Sequence, residues 1–80
     1  MELSKKDIDK LKKDIPKIIG KNIRCIRERK NLSQTELANL INSDRQYLYK
    51  IESGKVGISV VKLMCISLAL ETPISSFFEK

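Results

Sequence analysis

The chain has 80 residues, of which 41% are hydrophobic and 32% charged, and its 16 Lys and Arg against 10 Asp and Glu give a net charge of +6. This composition excludes disorder for most of the chain, and a domain this small buries so little surface that self-association would stabilise it. The positive charge favours a polyanionic partner, either nucleic acid or an anionic membrane.

Several kinds of functional site are missing from the sequence. There is no histidine, no Ser/His/Asp set and no glycine-rich phosphate loop, and Cys25 and Cys65 lie far apart without a CxxC spacing. We therefore expect no enzyme, no cofactor and no metal. With no signal peptide and no long apolar run, we expect a reducing, cytoplasmic setting and no membrane partner. One small core also leaves no room for a small-molecule effector.

Residues 1–16 predict a helical extension. Ser4 and Asp7 can cap a helix over residues 5–14, in which apolar residues recur at helical spacing at Ile8, Leu11 and Ile15. Pro16 disfavours a helical conformation at the residue before it, so the helix should break there and a second should begin near residue 17 or 18. The extension carries five lysines: Lys5, Lys6, Lys10, Lys12 and Lys13. We interpret them as a solvated face, and a phosphate-binding arm is the alternative.

The following segment predicts two helices joined by a turn. The first should end at Asn31, which tolerates a left-handed conformation, and it carries one apolar stripe of Ile19, Ile23 and Ile26. Ser33 and Glu36 then fit a capping box, in which each side chain accepts a hydrogen bond from the other residue's amide. The helix after this box should direct inward Leu37, Ala38 and Ile41.

A short helix is predicted over residues 45–52. Asn42 stands where a tight turn between helices needs a positive φ, and Asp44 can cap the helix that follows. The pair Ser53-Gly54 is a helix stop. Leu48 and Ile51 should face the core of the domain.

The last predicted helix, capped by Ser59 and ending at Leu70, is apolar nearly all round. One stripe should enter the core: Val60, Leu63, Ile66 or Ser67, and Leu70. The helix leaves a second apolar stripe outside the core, made of Val61, Met64, Cys65 and Leu68. A final turn after Thr72-Pro73 should add further apolar and aromatic surface beside it, with Ile74, Phe77 and Phe78. Such a patch predicts an interface, and we expect a homodimer.

These elements resemble a known family. Leu37-Ala38, Asn42, Leu48, Ile51-Glu52 and Gly54 line up as a helix-turn-helix with an Ile-Glu-x-Gly ending. The stretch 18–78 is similar to the lambda-repressor-like domains of phage repressors, Cro and Xre-type regulators, and segments 44–54, 58–59 and 76–78 are most similar to restriction–modification controller proteins. The resemblance implies an all-α domain of about five helices over residues 17–80, with the helix-turn-helix at about 33–52 and residues 1–16 as an extra helix.

The resemblance also implies a function and its residues. The helix over 45–52 would enter the major groove of double-stranded DNA, where Arg can read guanine and Gln can read adenine. The implied DNA contacts are Gln34, Arg45, Gln46, Tyr47, Tyr49, Lys50 and Lys55. Gln34 and Lys55 would contact phosphates. The two tyrosines could either pack within the protein or contact DNA. A dimer would present two such helices to an inverted-repeat operator.

Relatives commonly pair the positions of Arg27 and Glu52, so we expect a structural ion pair there. Two departures stand out: Ser43 replaces the usual aliphatic plug of the turn, and Glu71-Thr72 replaces the usual glycine and aliphatic residue. The predicted function is sequence-specific transcription regulation, in particular as a restriction–modification controller. The alternative is an antitoxin or protein-interaction module that uses the apolar surface, whereas RNA or membrane-surface binding is disfavoured by the few aromatic residues and the core pattern.

Overall fold

A computed structural model describes residues 1–80 and contains helices and turns without strands. Four α-helices, α1 (Lys5–Arg29), α2 (Gln34–Leu40), α3 (Arg45–Glu52) and α4 (Val60–Ala69), precede a 3-10 turn (Ile74–Phe78). The predicted all-α class is confirmed, although the chain forms fewer helices than the six expected. None of these helices has both the length and the apolar character needed to cross a bilayer.

The predicted break before Pro16 is wrong, because α1 continues through this residue for 25 residues in all. A proline inside a helix removes one hydrogen bond, here to the carbonyl of Lys12, and costs about 3 kcal/mol. Ile15 packs against the core, and the loop at Gly57 and Ile58 lies beside this part of α1. This packing offsets the lost hydrogen bond. The division of the chain into an extension and a DNA-binding domain at residue 16 stays a prediction, although α1 is continuous across this point.

The four helix starts for which a capping residue was predicted are confirmed by side-chain caps. The hydroxyl of Ser33 accepts from the amide of Glu36 at 3.0 Å, while the Glu36 carboxylate accepts from the amide of Ser33 at 2.8 Å. Ser4 and Asp7 form the same reciprocal pair at the start of α1. Single caps begin α3 and α4, from Asp44 to the amide of Tyr47 and from Ser59 to that of Lys62. Each cap satisfies an amide that the helix itself leaves without a partner.

The turns that end the helices use left-handed residues. Asn31 and Asn42 have φ of 60° and 53°, as predicted, and Gly54 has φ of 71° at the end of α3. Glu71 also adopts a left-handed φ of 50°. An ordinary side chain is strained in this region, which explains why glycine is usual there in the family that the sequence resembles.

The core contains the predicted inward faces of all four helices. Its buried apolar residues are Ile19, Ile23, Ile26, Leu37, Ala38, Ile41, Leu48, Ile51, Leu63, Ile66, Leu70 and Phe77. Two predictions about the C-terminal part are wrong. Val60 is 74% exposed instead of buried, because it begins α4 on the outer side, and Phe77 is fully buried instead of adding to the surface. The 3-10 turn folds back against α1 and inserts the Phe77 ring into the core.

Candidate nucleic-acid interface

Helix α3 has one buried side and one exposed side. Leu48 and Ile51 are almost completely buried in the core, as predicted. Arg45, Gln46 and Lys50 are exposed on the outer side. Because the buried residues fix the rotation of the helix about its axis, the exposed side chains leave the surface as one group in a set direction.

A buried ion pair holds α3 against α1. Arg27 donates from Nε to Oε2 of Glu52 at 2.6 Å and from Nη2 to Oε1 at 2.9 Å, and its Nη1 donates to the carbonyl of Leu32 at 2.8 Å. Both side chains are over 90% buried. The hydrogen bond to Glu52 raises the pKa of Arg27 above its ordinary value, against a smaller opposing effect of desolvation. The residues predicted to pair therefore do so, in a bidentate geometry.

Gln34, predicted to contact phosphate, joins this network. Its Nε2 donates to Oε1 of Glu52 at 3.0 Å, so the first residue of α2 is tied to the last residue of α3. A carboxamide nitrogen carries two hydrogens, and one of them remains available. Phosphate contact by Gln34 stays a prediction.

An open groove lies between α1 and α3 beside this network. Arg24 and Glu28 line one wall, and Arg45, Tyr49 and Ser53 line the other. Arg24 and Glu28 are exposed and form an ion pair, with 3.5 Å between Nε of Arg24 and Oε2 of Glu28. The groove therefore places an arginine of α1 on the same side of the molecule as the exposed start of α3.

The two tyrosines of α3 differ in their surroundings. Tyr47 is half-buried against the core, and burial raises the pKa of its hydroxyl. Tyr49 is exposed, and the Nζ of Lys55 lies 5.2 Å from its ring centre. Tyr47 therefore packs in part against the core, whereas Tyr49 and Lys55 form one exposed cation–π pair beside α3. DNA contact by either tyrosine stays a prediction.

Lys62 was missed at the sequence level. Its Nζ donates to the hydroxyl of Ser43 at 2.9 Å and to the carbonyl of Ile41 at 3.3 Å, and it also lies 5.6 Å from the ring centre of Tyr47. The polar Ser43 at the turn is thus held by α4, although an aliphatic plug is usual there. One signal was present, because Lys62 is the single charged residue of α4.

Two residues of α1 that hold other elements against it were also missed. A Cβ on Gly20 would lie 2.3 Å from the carbonyl oxygen of Ile51 and 2.8 Å from that of Glu52, so only glycine admits the end of α3 this close to α1. The Nδ2 of Asn22 donates to the carbonyls of Phe77 and Glu79 at 2.8 and 2.6 Å, which holds the C-terminal segment on α1. Nothing in the local pattern pointed to these long-range contacts.

The predicted interface residues divide into three groups. Val61 and Leu68 are 75% and 74% exposed, and Met64 and Phe78 are also exposed. Cys65 and Ile74 are half-buried and pack against the core. Phe77 is buried, so it is not available to a partner. With Val60 added, the exposed apolar residues of α4 are Val60, Val61, Met64 and Leu68. These four residues and the exposed Phe78 of the 3-10 turn are named below the α4 surface.

Comparisons with known proteins agree with this geometry. A family model described as helix-turn-helix matches residues 23–77. An uncharacterised helix-turn-helix transcriptional regulator of Rickettsia conorii is 42% identical over 65 residues, which cover 81% of this chain but only 52% of that regulator. The chain thus spans about half the length of that relative.

Two controller proteins are similar over most of their length. Control protein C.MunI of a Mycoplasma species is 38% identical over 66 residues, which cover 81% of this chain and 89% of C.MunI. The crystal structure of the restriction–modification controller protein C.AhdI from Aeromonas hydrophila superposes with a TM-score of 0.75 at 32% identity, covering 79% of this chain and 96% of that one. The chain therefore belongs to the Xre-type helix-turn-helix family of transcriptional regulators, with restriction–modification controller proteins among its relatives.

Proposed function

We propose that this protein binds specific double-stranded DNA as a homodimer on an inverted repeat and regulates transcription as a restriction–modification controller. The observation that carries the proposal is the two-sided α3, which the core and the Arg27–Glu52 pair hold in place while Arg45, Gln46 and Lys50 stay exposed. A rigid helix with three exposed polar side chains suits the major groove, which admits one helix and displays a distinct donor and acceptor pattern for each base pair.

The exposed residues take different roles in this proposal. Arg45 and Gln46 begin α3, where side chains reach base edges, and Arg can donate to guanine and Gln to adenine in bidentate fashion. The phosphate backbone is contacted by the remaining polar residues on and around α3, which are Gln34, Tyr49, Lys50 and Lys55. Tyr47 contributes through its packing under Lys62.

The homodimer rests on the α4 surface. Its members are apolar, and most remain largely exposed in the single chain, which is unusual for a small soluble domain unless the surface is covered by a partner. A second copy covers it with an identical apolar surface related by a two-fold axis. The two copies of α3 would then meet successive major grooves about 34 Å apart.

Selection of bound fragments from random duplex DNA tests the central claim. The expected product is a family of duplexes with two inverted half-sites about one helical turn apart. Enrichment of a single half-site would support DNA binding without the dimer. Failure to enrich any sequence would contradict the proposal and favour a module that uses the α4 surface for another protein.

Titrations with Arg45→Ala and Lys55→Ala separate base contacts from phosphate contacts. Loss of a bidentate base contact should cost about 1–3 kcal/mol on the selected duplex and much less on a scrambled one, whereas loss of a phosphate contact should weaken both alike. Lys30→Ala is the matched control, because Lys30 is exposed beside Thr72 and Pro73, away from α3. Equal losses on both duplexes for Arg45→Ala would make Arg45 a backbone contact.

Sedimentation equilibrium with Leu68→Lys tests the dimer. The wild type should be dimeric at micromolar concentration, which corresponds to about −8 kcal/mol, and the charged variant should be monomeric with unchanged helix content. Leu3→Lys is the control, since Leu3 is also exposed but lies at the opposite end of the sequence, outside the α4 surface. A wild type that is monomeric at ~100 μM would contradict the homodimer.

A further inference from the structure

The N-terminal half of α1 carries a charge pattern that the proposed site does not use. At 100° per residue, Lys6, Lys10, Lys13 and Lys17 fall within about 60° of arc on one side of the helix. We name these four residues the lysine stripe. Lys5 and Lys12 lie about 80° and 100° beyond the nearest edge of the stripe, so the lysines of this segment are not one undivided face.

All members of the lysine stripe are exposed, and none of their ammonium groups forms a hydrogen bond or an ion pair within the protein. The acidic residues of this segment flank the stripe instead of interrupting it. Asp7, Asp9 and Asp14 stand three or four residues from the stripe lysines, but no carboxylate of theirs lies within ion-pair distance of a stripe ammonium group. The four ammonium groups are therefore free to bind an anionic partner.

The stripe is continuous with the proposed DNA-binding side. Lys17 lies directly under Gly54, where an added Cβ would come within 2.9 Å of the Lys17 Cα and Cγ, and Gly54 immediately precedes Lys55. One and two turns further on, the same side of α1 reaches Gly20, which touches the end of α3, and Arg24, which lines the groove with Arg45. The stripe therefore leads away from α3 along a single helix axis.

We propose that the lysine stripe binds the phosphate backbone of DNA beyond the segment that α3 contacts, so that α1 extends the DNA footprint. The proposal rests on the proposed function, because its partner is the same duplex. The stripe runs about 17 Å from Lys6 to Lys17, with one charge per turn of about 5.4 Å, and Arg24 lies about 27 Å from Lys6 along the same side of the helix. Lysine side chains are long and flexible, so ammonium groups at this repeat can reach phosphates along one strand of the duplex.

An anionic membrane is the competing partner for a basic helix face, since the opposite side of this segment carries Ile8, Leu11 and Ile15. The structure favours DNA for two reasons. Ile15 packs against the core and Leu11 lies beside the loop at Gly57 and Ile58, so this apolar side is partly occupied. The stripe also faces the same way as the groove of α3.

The test compares two double variants of equal charge in the full-length protein. Lys10→Gln/Lys13→Gln removes two charges from the stripe, and Lys5→Gln/Lys12→Gln removes two from other sides of the same segment. Affinity for the selected duplex and for a scrambled duplex, both with long flanks, is measured by fluorescence anisotropy from 50 to 200 mM salt. Loss of two phosphate contacts should reduce the magnitude of the slope of log K against log salt by about 1.8. Between 50 and 200 mM salt, the affinity of the stripe variant should therefore fall by roughly tenfold less than that of the wild type. The control variant should keep the wild-type slope.

Ethylation interference locates the contacts. Phosphates outside the α3 half-site whose ethylation blocks the wild type should no longer matter to Lys10→Gln/Lys13→Gln. Equal slopes for the two double variants, or a stripe variant with the wild-type slope, would overturn the inference. So would loss of binding to phosphatidylserine vesicles without any change on DNA, because the partner would then be a membrane.

The outcomes also separate this inference from the proposed function. A wild type that selects an operator but is insensitive to the stripe variant overturns the inference alone. A wild type that binds every duplex equally, with a reduced slope for the stripe variant, supports the inference and contradicts sequence-specific regulation. A wild type that binds no duplex overturns both.

Discussion

Substitution of Glu52 by Ala should destabilise the protein strongly. Glu52 accepts two hydrogen bonds from Arg27 and one from Gln34, and no buried polar side-chain atom of the chain lacks a partner. The guanidinium is over 90% buried in the wild type, and in Glu52→Ala only the Leu32 carbonyl would remain as its acceptor. Leaving one charge of a buried pair unpaired costs about 3–5 kcal/mol, against a total stability of about 4–12 kcal/mol for a chain of this length.

Urea denaturation at matched protein concentration measures this loss. The Glu52→Ala midpoint should fall far below that of the wild type, and the melting temperature should fall by about 12 °C or more. The double variant Arg27→Met/Glu52→Leu is the control, because replacing both partners by apolar residues of similar size is often nearly neutral. A Glu52→Ala variant within ~0.5 kcal/mol of the wild type would refute the reasoning, as would a double variant that is as unstable as the single one.

Three further changes test local features of the fold. Gly20→Ala should lower the free energy of unfolding by about 1–3 kcal/mol, although alanine favours helices, because its Cβ would clash with backbone oxygens of α3. Urea denaturation measures this loss, and a raised midpoint would contradict the close approach. Glu71→Gly should raise the free energy of unfolding by up to ~1 kcal/mol because it relieves a left-handed φ, and no gain would mean that Glu71 is unstrained. The hydrogen bond from the Ser33 amide lowers the pKa of Glu36 below its ordinary 4.5, so its carboxylate stabilises the fold above pH 4.5 and this contribution is lost as pH falls through the lowered value. The difference between wild type and Glu36→Gln should therefore be present at neutral pH and vanish in acid, and a difference independent of pH would show that the charge has no part in the cap.

Most of what defines the helix-turn-helix could be predicted because it is set by residues close in sequence. The capping residues Ser33, Asp44 and Ser59 act within three residues of themselves, and the left-handed turns at Asn31 and Asn42 depend on the conformational tolerance of one side chain. The bounds of α3 followed from a cap at one end and a helix stop at the other. The pairing of Arg27 with Glu52 came from the family resemblance, since no local pattern connects residues 25 positions apart.

The features that could not be predicted depend on how the elements meet. Whether Val60 or Phe77 is buried is decided by the path of the chain after α4, and helical spacing alone cannot distinguish the two sides of a helix that is apolar all round. Gly20 looked like an ordinary helix residue until α3 was placed against it. Lys62 gained its role from the turn at Ser43, which is distant in sequence. The DNA and dimer contacts stay predictions, because a single chain shows which side chains are exposed and not what they contact.

The continuity of α1 through Pro16 links the wrong prediction to the new inference. A break at this residue would have left the first three lysines of the stripe on a separate segment, free to turn away from α3. In the structure they share one helix with Gly20, Arg24 and Arg27, and Arg27 is tied to the last residue of α3. A rigid helix transmits this orientation along its length, so the position of α3 in the major groove would also fix where Lys13 and Lys10 lie along the backbone. Pro16 removes one helix hydrogen bond, but packing of Ile15 against the core holds the two halves of α1 together. The alignment of the stripe with α3 is therefore kept.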